Sequence, residues 1–569
     1  MCSIEGFTGP QPFTIEDYTK FNKDRGPDDT NYWSDQFVSF GHNLLSISTN
    51  KSKKTQPYVT DKGNVLIYNG EIFGLGDDVF DTEWLANKIE NEGIQSLKND
   101  VNGMWAFVWY EPKNQRMWLV RDHFGVKPLY YLEQGTDLYF SSTPKPLYAV
   151  LNKYSSLEID QNKMQDFQKC DRFMPGSLIP YKDIKKVPPG KILCYNLKER
   201  RFGLDDTLWG GNKWNLDMDL KWDPEELEDI MNKAFLEVLR PGQAVDKTIS
   251  LSGGLDSTLI ASILKNHNVS ATSCSWENKD TDLTSTRQGM FDESVLAEKT
   301  CDQFNIKFNK SVVPRDFNPL MNESYQALGL PIWDRNRIVP RYVNVKHAAE
   351  NGNKVFIVGD CADELLTGYN GDFNVFYPSH ATTRNFNASH TQYWLSRKQY
   401  KLKDDNYIPI HLFGNDHINN YLLFRTLCMG ESFCLVADHL AGAFGMESRM
   451  PFLHQKLAKY LLNIPGVYKL HVPFNHGPKD YQKRKNERFW RMGNYKSILR
   501  DHMKQYYPEH VLNRVQKIGF ANPWDARDDV KNQEFGEADT NLVNLLMKKL
   551  TFNWSSRIML RYFMGEYYG

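Results

Sequence analysis

The chain has 569 residues, of which 69 are basic, 70 acidic and 41% hydrophobic, for a net charge of −1. That length suits three or four domains of ordinary size, or two large ones. Balanced charge gives no global pull toward nucleic acid or anionic lipid, and the apolar content excludes a disordered chain. No apolar run approaches the roughly 18 residues of a bilayer span. The first residues, Met1-Cys2-Ser3-Ile4-Glu5-Gly6, lack the basic and apolar regions of a secretory signal, so the cytoplasm is the default compartment. Cysteines at 2, 170, 194, 274, 301, 361, 428 and 434 form no CxxC pair, which excludes zinc ribbons and disulfide scaffolds. Most read as small buried hydrophobes.

In chain order, Cys2 comes first, because removal of Met1 would leave one residue carrying both a thiol and a free α-amine. With a pKa of about 7.7 to 8.0, that amine can accept the thiol proton without a histidine. The first two hundred residues read as strands and turns. Val65-Leu66-Ile67-Tyr68, Met104 to Tyr110 and Met117 to Val120 are runs of strand length, and Leu138-Tyr139-Phe140 follows Gln134-Gly135 as in a hairpin. A helix beginning at Asp81 carries Trp84, Leu85 and Ile89 on one side, with Asp81 as a possible N-cap. After Tyr68, an Asn69 amide beside a Gly70 N–H suits an oxyanion, although Asn-Gly is also a common strand-ending turn.

Arg201 to Trp222 is rich in Gly, Asp and Trp without periodicity and reads as a joining segment, dividing the chain into 1–205 and 206–569. Asp223 then caps a helix with Pro224 at its first position and Leu227, Ile230, Met231, Ala234 and Val238 at helical spacing. From there strands and helices alternate, which implies a parallel sheet with its chemistry at the strand carboxyl ends.

The strand Thr248-Ile249-Ser250-Leu251 runs into Ser252-Gly253-Gly254-Leu255-Asp256-Ser257 and a helix, the form of an anion site. It lacks the Walker A ending, and an acid inside a phosphate loop calls for bridging Mg²⁺. A tight turn capped by Ser252 is the bland alternative. Val358-Gly359-Asp360-Cys361-Ala362-Asp363-Glu364 repeats the strand–turn–helix arrangement and adds carboxylates at the same sheet edge.

These motifs resemble the glutamine-dependent asparagine synthetases. Ser252 to Ser257 is similar to the pyrophosphate loop of AMP-forming ATP pyrophosphatases, and Gly359 to Tyr369 to the family's Gly-Asp-Gly-Gly-Asp-Glu-Leu-Phe-Gly-Gly-Tyr. Glu447-Ser448-Arg449-Met450-Pro451-Phe452-Leu453, Lys496-Ser497-Ile498-Leu499-Arg500 and Lys517-Ile518-Gly519-Phe520 add to it. In the amino-terminal half, Cys2-Ser3-Ile4, Arg25-Gly26-Pro27-Asp28, Asn69-Gly70-Glu71, Asp81 and Arg121 to Tyr130 resemble the class II glutaminase pattern.

The resemblance implies an αββα Ntn-hydrolase-type glutaminase followed by an α/β parallel-sheet PP-loop domain. It implies Cys2 as nucleophile, Asn69 and Gly70 as oxyanion hole, and a glutamine site of Ile47, Ser48, Asn69, Gly70, Glu71 and Asp81. ATP, as co-substrate, would lie against Leu251, Ser252, Gly253, Gly254, Asp256, Ser257, Ser275, Val358, Gly359 and Lys496, with Mg²⁺ on Asp256 and Asp363. Asp360 would serve the acyl-adenylate, made from aspartate or another carboxylate, and ammonia would pass internally. His123 is structural in this pattern, and Lys496 taken alone also reads as a solvated helix residue.

Four positions depart from the pattern. Leu44 replaces the Arg that clamps the glutamine α-carboxylate, a loss of about 1.5 to 3 kcal/mol unless another cation substitutes. Asp24, Val358 and His454 replace the usual His, Ser and Asp. A retained Met1 would block Cys2. The basic–aromatic cluster Lys483 to Arg491 reads as a solvated helix face, so no nucleic-acid or membrane partner is expected, and a homodimer is left open as the assembly.

Overall fold

Short apolar strands, most of them buried on both faces, build two antiparallel sheets in the amino-terminal half. The computed structural model describes residues 2–11, 13–47, 55–76, 79–154, 158–164, 174, 176–209, 222–240, 245–277, 292–330, 335–369, 417–469 and 496–513. Met1, Ser48, Cys170, Lys483 to Arg491 and Lys517 to Phe520 lie outside them. The strands of this half are Ser3–Thr8 (β1), Asp29–Ser34 (β2), Val38–Leu44 (β3), Tyr58–Val59 (β4), Val65–Ile72 (β5), Gly103–Glu111 (β6), Arg116–Arg121 (β7), Tyr130–Gln134 (β8), Asp137–Ser141 (β9), Ile184–Lys186 (β10), Lys191–Asn196 (β11) and Arg201–Thr207 (β12). One sheet has the order β10-β8-β9-β1-β3-β2 and the other β12-β11-β7-β6-β5-β4.

Ile4, Phe40, Ile67, Val108, Leu119 and Phe140 fill the space between the sheets. The helix Asp81–Glu92 covers the outer face of the second sheet through Leu85, Ala86 and Ile89, and the helices Ile15–Thr19 and Lys145–Tyr154 cover the first. This is the αββα layering expected from the resemblance.

The carboxyl-terminal half carries the parallel sheet: Phe308–Val313 (β15), Val269–Trp276 (β14), Lys247–Ser250 (β13), Val355–Ile357 (β16) and Glu447–Arg449 (β17), in that spatial order. All four pairings are parallel. The helix Pro224–Leu239 starts as expected, with Asp223 accepting from the Glu225 N–H at 2.9 Å and Pro224 in its first turn.

Three local expectations change. Arg201–Thr207, read as joining segment, is an edge strand paired with β11; its exposed, charged face hides the alternation that marks a strand. Phe80, not Asp81, is the N-cap of the Asp81 helix. Gly254, not Ser252, is the N-cap after the glycine loop.

The halves share their cores. Tyr130, Leu147 and Tyr148 pack in one cluster with Trp276, Tyr325 and Leu440, and Leu45, Phe73 and Phe124 join the cluster of the parallel sheet. Among the described residues no helix is long and apolar enough to cross a membrane.

Candidate functional site

Chemistry-bearing residues gather at two places. In the amino-terminal half, β1 and β5 bring Cys2 to Asn69, whose Oδ1 accepts from the Cys2 backbone nitrogen at 3.1 Å. Asn69 is fully buried and its Nδ2 has no hydrogen-bond partner among the described residues. Leaving such a donor unmade is costly, so this amide has a bond to give to an acceptor placed beside Cys2. Gly70 lies so close to β6 that a β-carbon there would meet the Met104 carbonyl oxygen at 2.2 Å. The Cys2 thiol is pushed up by burial, partly offset by the Leu45 backbone N–H.

Glu71 and Asp81 form the acidic side of this place. Burial lifts Asp81 to about 6, although its carboxylate accepts from the Tyr68 hydroxyl at 2.9 Å. Burial, then Glu447 and Asp81, raise Glu71 well above the carboxylate range. Ile47 is buried in the hydrophobic cluster, and Leu44 is half-buried on β3, with its carbonyl accepting from the Asp28 N–H at 3.0 Å. His123 is buried beside Gln455 and pushed down to about 3 by desolvation, which agrees with a structural role.

The second place is the carboxyl edge of the parallel sheet. Gly253 turns through the left-handed region (φ 67°), where a β-carbon would strike the Leu296 side chain at 2.6 Å. The Ser252 N–H donates to Ser257 Oγ at 3.1 Å, and the Gly254 N–H to Ser252 Oγ at 3.4 Å. Leu251, Ser275 and Val358 are buried at adjoining strand tips. The two loops touch: a β-carbon on Gly359 would sit 3.1 Å from Asp256 Cβ.

Lys496 is also buried, contrary to the solvated reading, and its ammonium bridges Asp256 and, at 2.5 Å, Asp363. Burial opposes the charge, yet the two carboxylates hold this ammonium above its ordinary range. Asp360 does not join that trio. It pairs with Arg341, NH1 to Oδ2 at 2.8 Å and NH2 to Oδ1 at 2.9 Å. Cys361 and Thr367, where the similar stretch has Gly, occupy the left-handed region at φ 72° and 57°. Each costs about 1 to 2 kcal/mol of local strain. Thr367 is held there by its hydroxyl donating to the Lys469 carbonyl at 2.7 Å.

Sequence reasoning missed Arg341 and did not foresee that Glu447, from β17, faces Glu71 across the two halves. Lys127 and Arg449 pull Glu447 down to about 2 despite its burial. Its place in a matched motif was the available signal; for Arg341 none existed beyond a basic residue on a helix that leads into β16.

The pair Asp256–Asp363 fits a divalent cation, since both carboxylates already converge on one ammonium. Among the described residues no group of three or more metal-binding side chains occurs. Two carboxylates completed by phosphate oxygens is the usual provision for Mg²⁺.

A family model described as "Asparagine synthase" matches residues 240–544, and one described as "Glutamine amidotransferase domain" matches residues 1–204. The glutamine-hydrolyzing asparagine synthetase 3 of Bacillus subtilis is 24% identical over 532 residues, covering 83% of this chain and 82% of that protein. A putative glutamine-hydrolyzing asparagine synthetase of Methanocaldococcus jannaschii is also 24% identical, over 84% of this chain and 81% of its own. With more than half its length matched by the first model, the chain belongs to the asparagine synthase family and bears a glutamine amidotransferase domain at its amino-terminal end.

Proposed function

We propose that the protein is an ATP-dependent, glutamine-using ligase that converts aspartate to asparagine through an acyl-adenylate, releasing AMP and pyrophosphate. The observation that carries this reading is the convergence of Lys496, Asp256 and Asp363 on one point beside the Ser252–Ser257 loop. A carboxylate is not displaced by ammonia at neutral pH, because oxide is a very poor leaving group; adenylation supplies a good one. Backbone N–H groups of the loop and the Lys496 ammonium would bind the β,γ end of ATP, so the acceptor carboxylate attacks the α-phosphorus. Mg²⁺, held by Asp256 and Asp363, would neutralise charge on the departing pyrophosphate. Asp360 would stand on the acceptor side of that centre.

At the other place Cys2, freed of Met1, would attack the glutamine amide carbon, its proton passing to its own α-amine and then to the leaving ammonia. Asn69 Nδ2 and the Gly70 N–H would take the developing oxyanion. Glu71 and Asp81 would hold the glutamine α-ammonium, whose charge would offset the burial cost that now favours their protonated forms. Support for internal ammonia delivery comes from Glu447, which faces Glu71 at one end of the parallel sheet while Asp360 stands at the other, beyond β16.

A panel of carboxylates scored for AMP formation with ammonium, then with glutamine, tests the reading. We expect aspartate to lead, and Cys2→Ala to lose only the glutamine-supported reaction. Accumulation of ADP, or equal glutamine use by Cys2→Ala, refutes it.

A further inference from the structure

The helix Arg335–Glu350 leads into β16, so it runs antiparallel to the strands with its amino end over their carboxyl ends. One side chain fixes its height. Asn344, buried, accepts from Thr272 Oγ1 at 2.8 Å and Ser311 Oγ at 3.3 Å, and donates to Ser250 Oγ at 3.3 Å. A single amide therefore grips β13, β14 and β15, and Val345 and Ala348 seat the same helix in the core. Arg341 stands three residues earlier, about 4.5 Å further along the axis at 1.5 Å per residue. Ser250 is the last residue of β13, so Arg341 emerges above the strand tips. There its NH2 donates to Asp360 Oδ1 at 2.9 Å and its NH1 lies 2.8 Å from Oδ2, with side chains 22% and 18% exposed.

Building on the function proposed above, we propose that Arg341 is the positioning residue of the acceptor side: it holds the Asp360 carboxylate in one orientation and keeps it away from the cation site. Asp256, Asp360 and Asp363 all stand on the two loops at one sheet edge, and only Asp256 and Asp363 meet at Lys496. Asp360 follows Gly359, whose backbone lies against Asp256, so the direction of the Asp360 side chain decides whether its carboxylate turns toward Lys496 or away from it. Lys496 takes two of the three and Arg341 takes the third. Only a planar fork engages both oxygens at once and so fixes direction as well as charge; a lysine supplies charge alone. The result is a division of labour, pyrophosphate on Asp256 and Asp363 and acyl chemistry on Asp360.

The test uses full-length protein, ATP, aspartate and ammonium, with AMP as readout, for Arg341→Gln, Arg341→Lys, Asp360→Asn and the Arg341→Gln/Asp360→Asn double variant. Misplacing a reacting group by about 1 Å costs up to about a hundredfold. We expect Arg341→Gln to lower kcat by about ten- to a hundredfold with the KM for ATP nearly unchanged, and Arg341→Lys to recover part of it. A residue that acts only through Asp360 adds nothing once Asp360 is gone, so the double variant should be no slower than Asp360→Asn. Glutamine hydrolysis at Cys2 reports that each variant is folded. Additive losses in the double variant, or an Arg341→Gln enzyme within about twofold of wild type, would overturn the inference. Absence of AMP with wild-type protein would instead overturn the aspartate reading on which it rests.

Discussion

Glu5 lies on β1 wholly out of solvent, accepting from Asn22 Nδ2 at 2.6 Å beside Arg25, and burial raises its carboxyl to about 8. Between its ordinary value of 4.5 and about 8 the folded protein keeps a proton that the unfolded chain has lost. Its contribution is therefore fully present below the lower value and declines as pH rises toward the upper one, by up to about 1.4 kcal/mol per pH unit. Glu5→Gln keeps an acceptor for Asn22 without the titration. Urea midpoints at several pH values from 5 to 8 should fall with pH in wild type and fall less steeply in the variant; parallel curves would exclude Glu5 as a source of the slope. Arg25 does not need the Glu5 charge, because its NH2 already meets Asp438 Oδ1 at 2.7 Å.

Elements, rather than single contacts, bring the acidic turns together: two parallel strands deliver Ser252–Ser257 and Gly359–Glu364 to one edge, and the Asn344 amide keeps the helix that leads into β16 in step. Asn344→Ala would leave the buried Thr272 hydroxyl short of a partner, at a cost of about 1 to 3 kcal/mol, while Ser311 Oγ keeps the Ser273 carbonyl at 3.3 Å. We expect a lower urea midpoint and slower AMP formation with glutamine hydrolysis intact; equal loss of both activities would contradict this localisation. Much at this scale was legible. The Thr248 strand, its glycine loop and the Asp223-capped helix announce themselves through apolar runs, turn residues and capping, all local signals. Arg201–Thr207 was not legible, because an edge strand open to water needs no alternation. The Arg341–Asp360 pair and the approach of Glu447 to Glu71 were also hidden, since each depends on tertiary packing that no periodicity encodes.

At the scale of the molecule, the two halves are joined by buried charge as well as by shared cores. Arg121 donates to the carbonyls of Gly125, Lys127 and Val187 and pairs with Glu431 at 2.6 Å; Lys186 reaches the same carboxylate, also at 2.6 Å, and all three side chains are fully buried. Glu431 and Asp438 lie on one helix, Glu431–Gly442, which answers cations from the opposite half along its length. Glu431→Ala would strand two buried cations, a loss of about 3 to 5 kcal/mol. We expect glutamine hydrolysis and AMP formation to decline together on heating, in one transition; separate transitions would show that the halves melt independently.

That helix also bears on any attempt to exchange parts between relatives. A chimera cut between the two matched regions would preserve the chain while leaving Glu431 and Asp438 to whatever the donor carries at positions 25, 121, 127 and 186. A transplanted amino-terminal half that lacks a cation at position 186 would therefore need a 431–442 segment from the same donor, although more than two hundred residues separate the two in sequence.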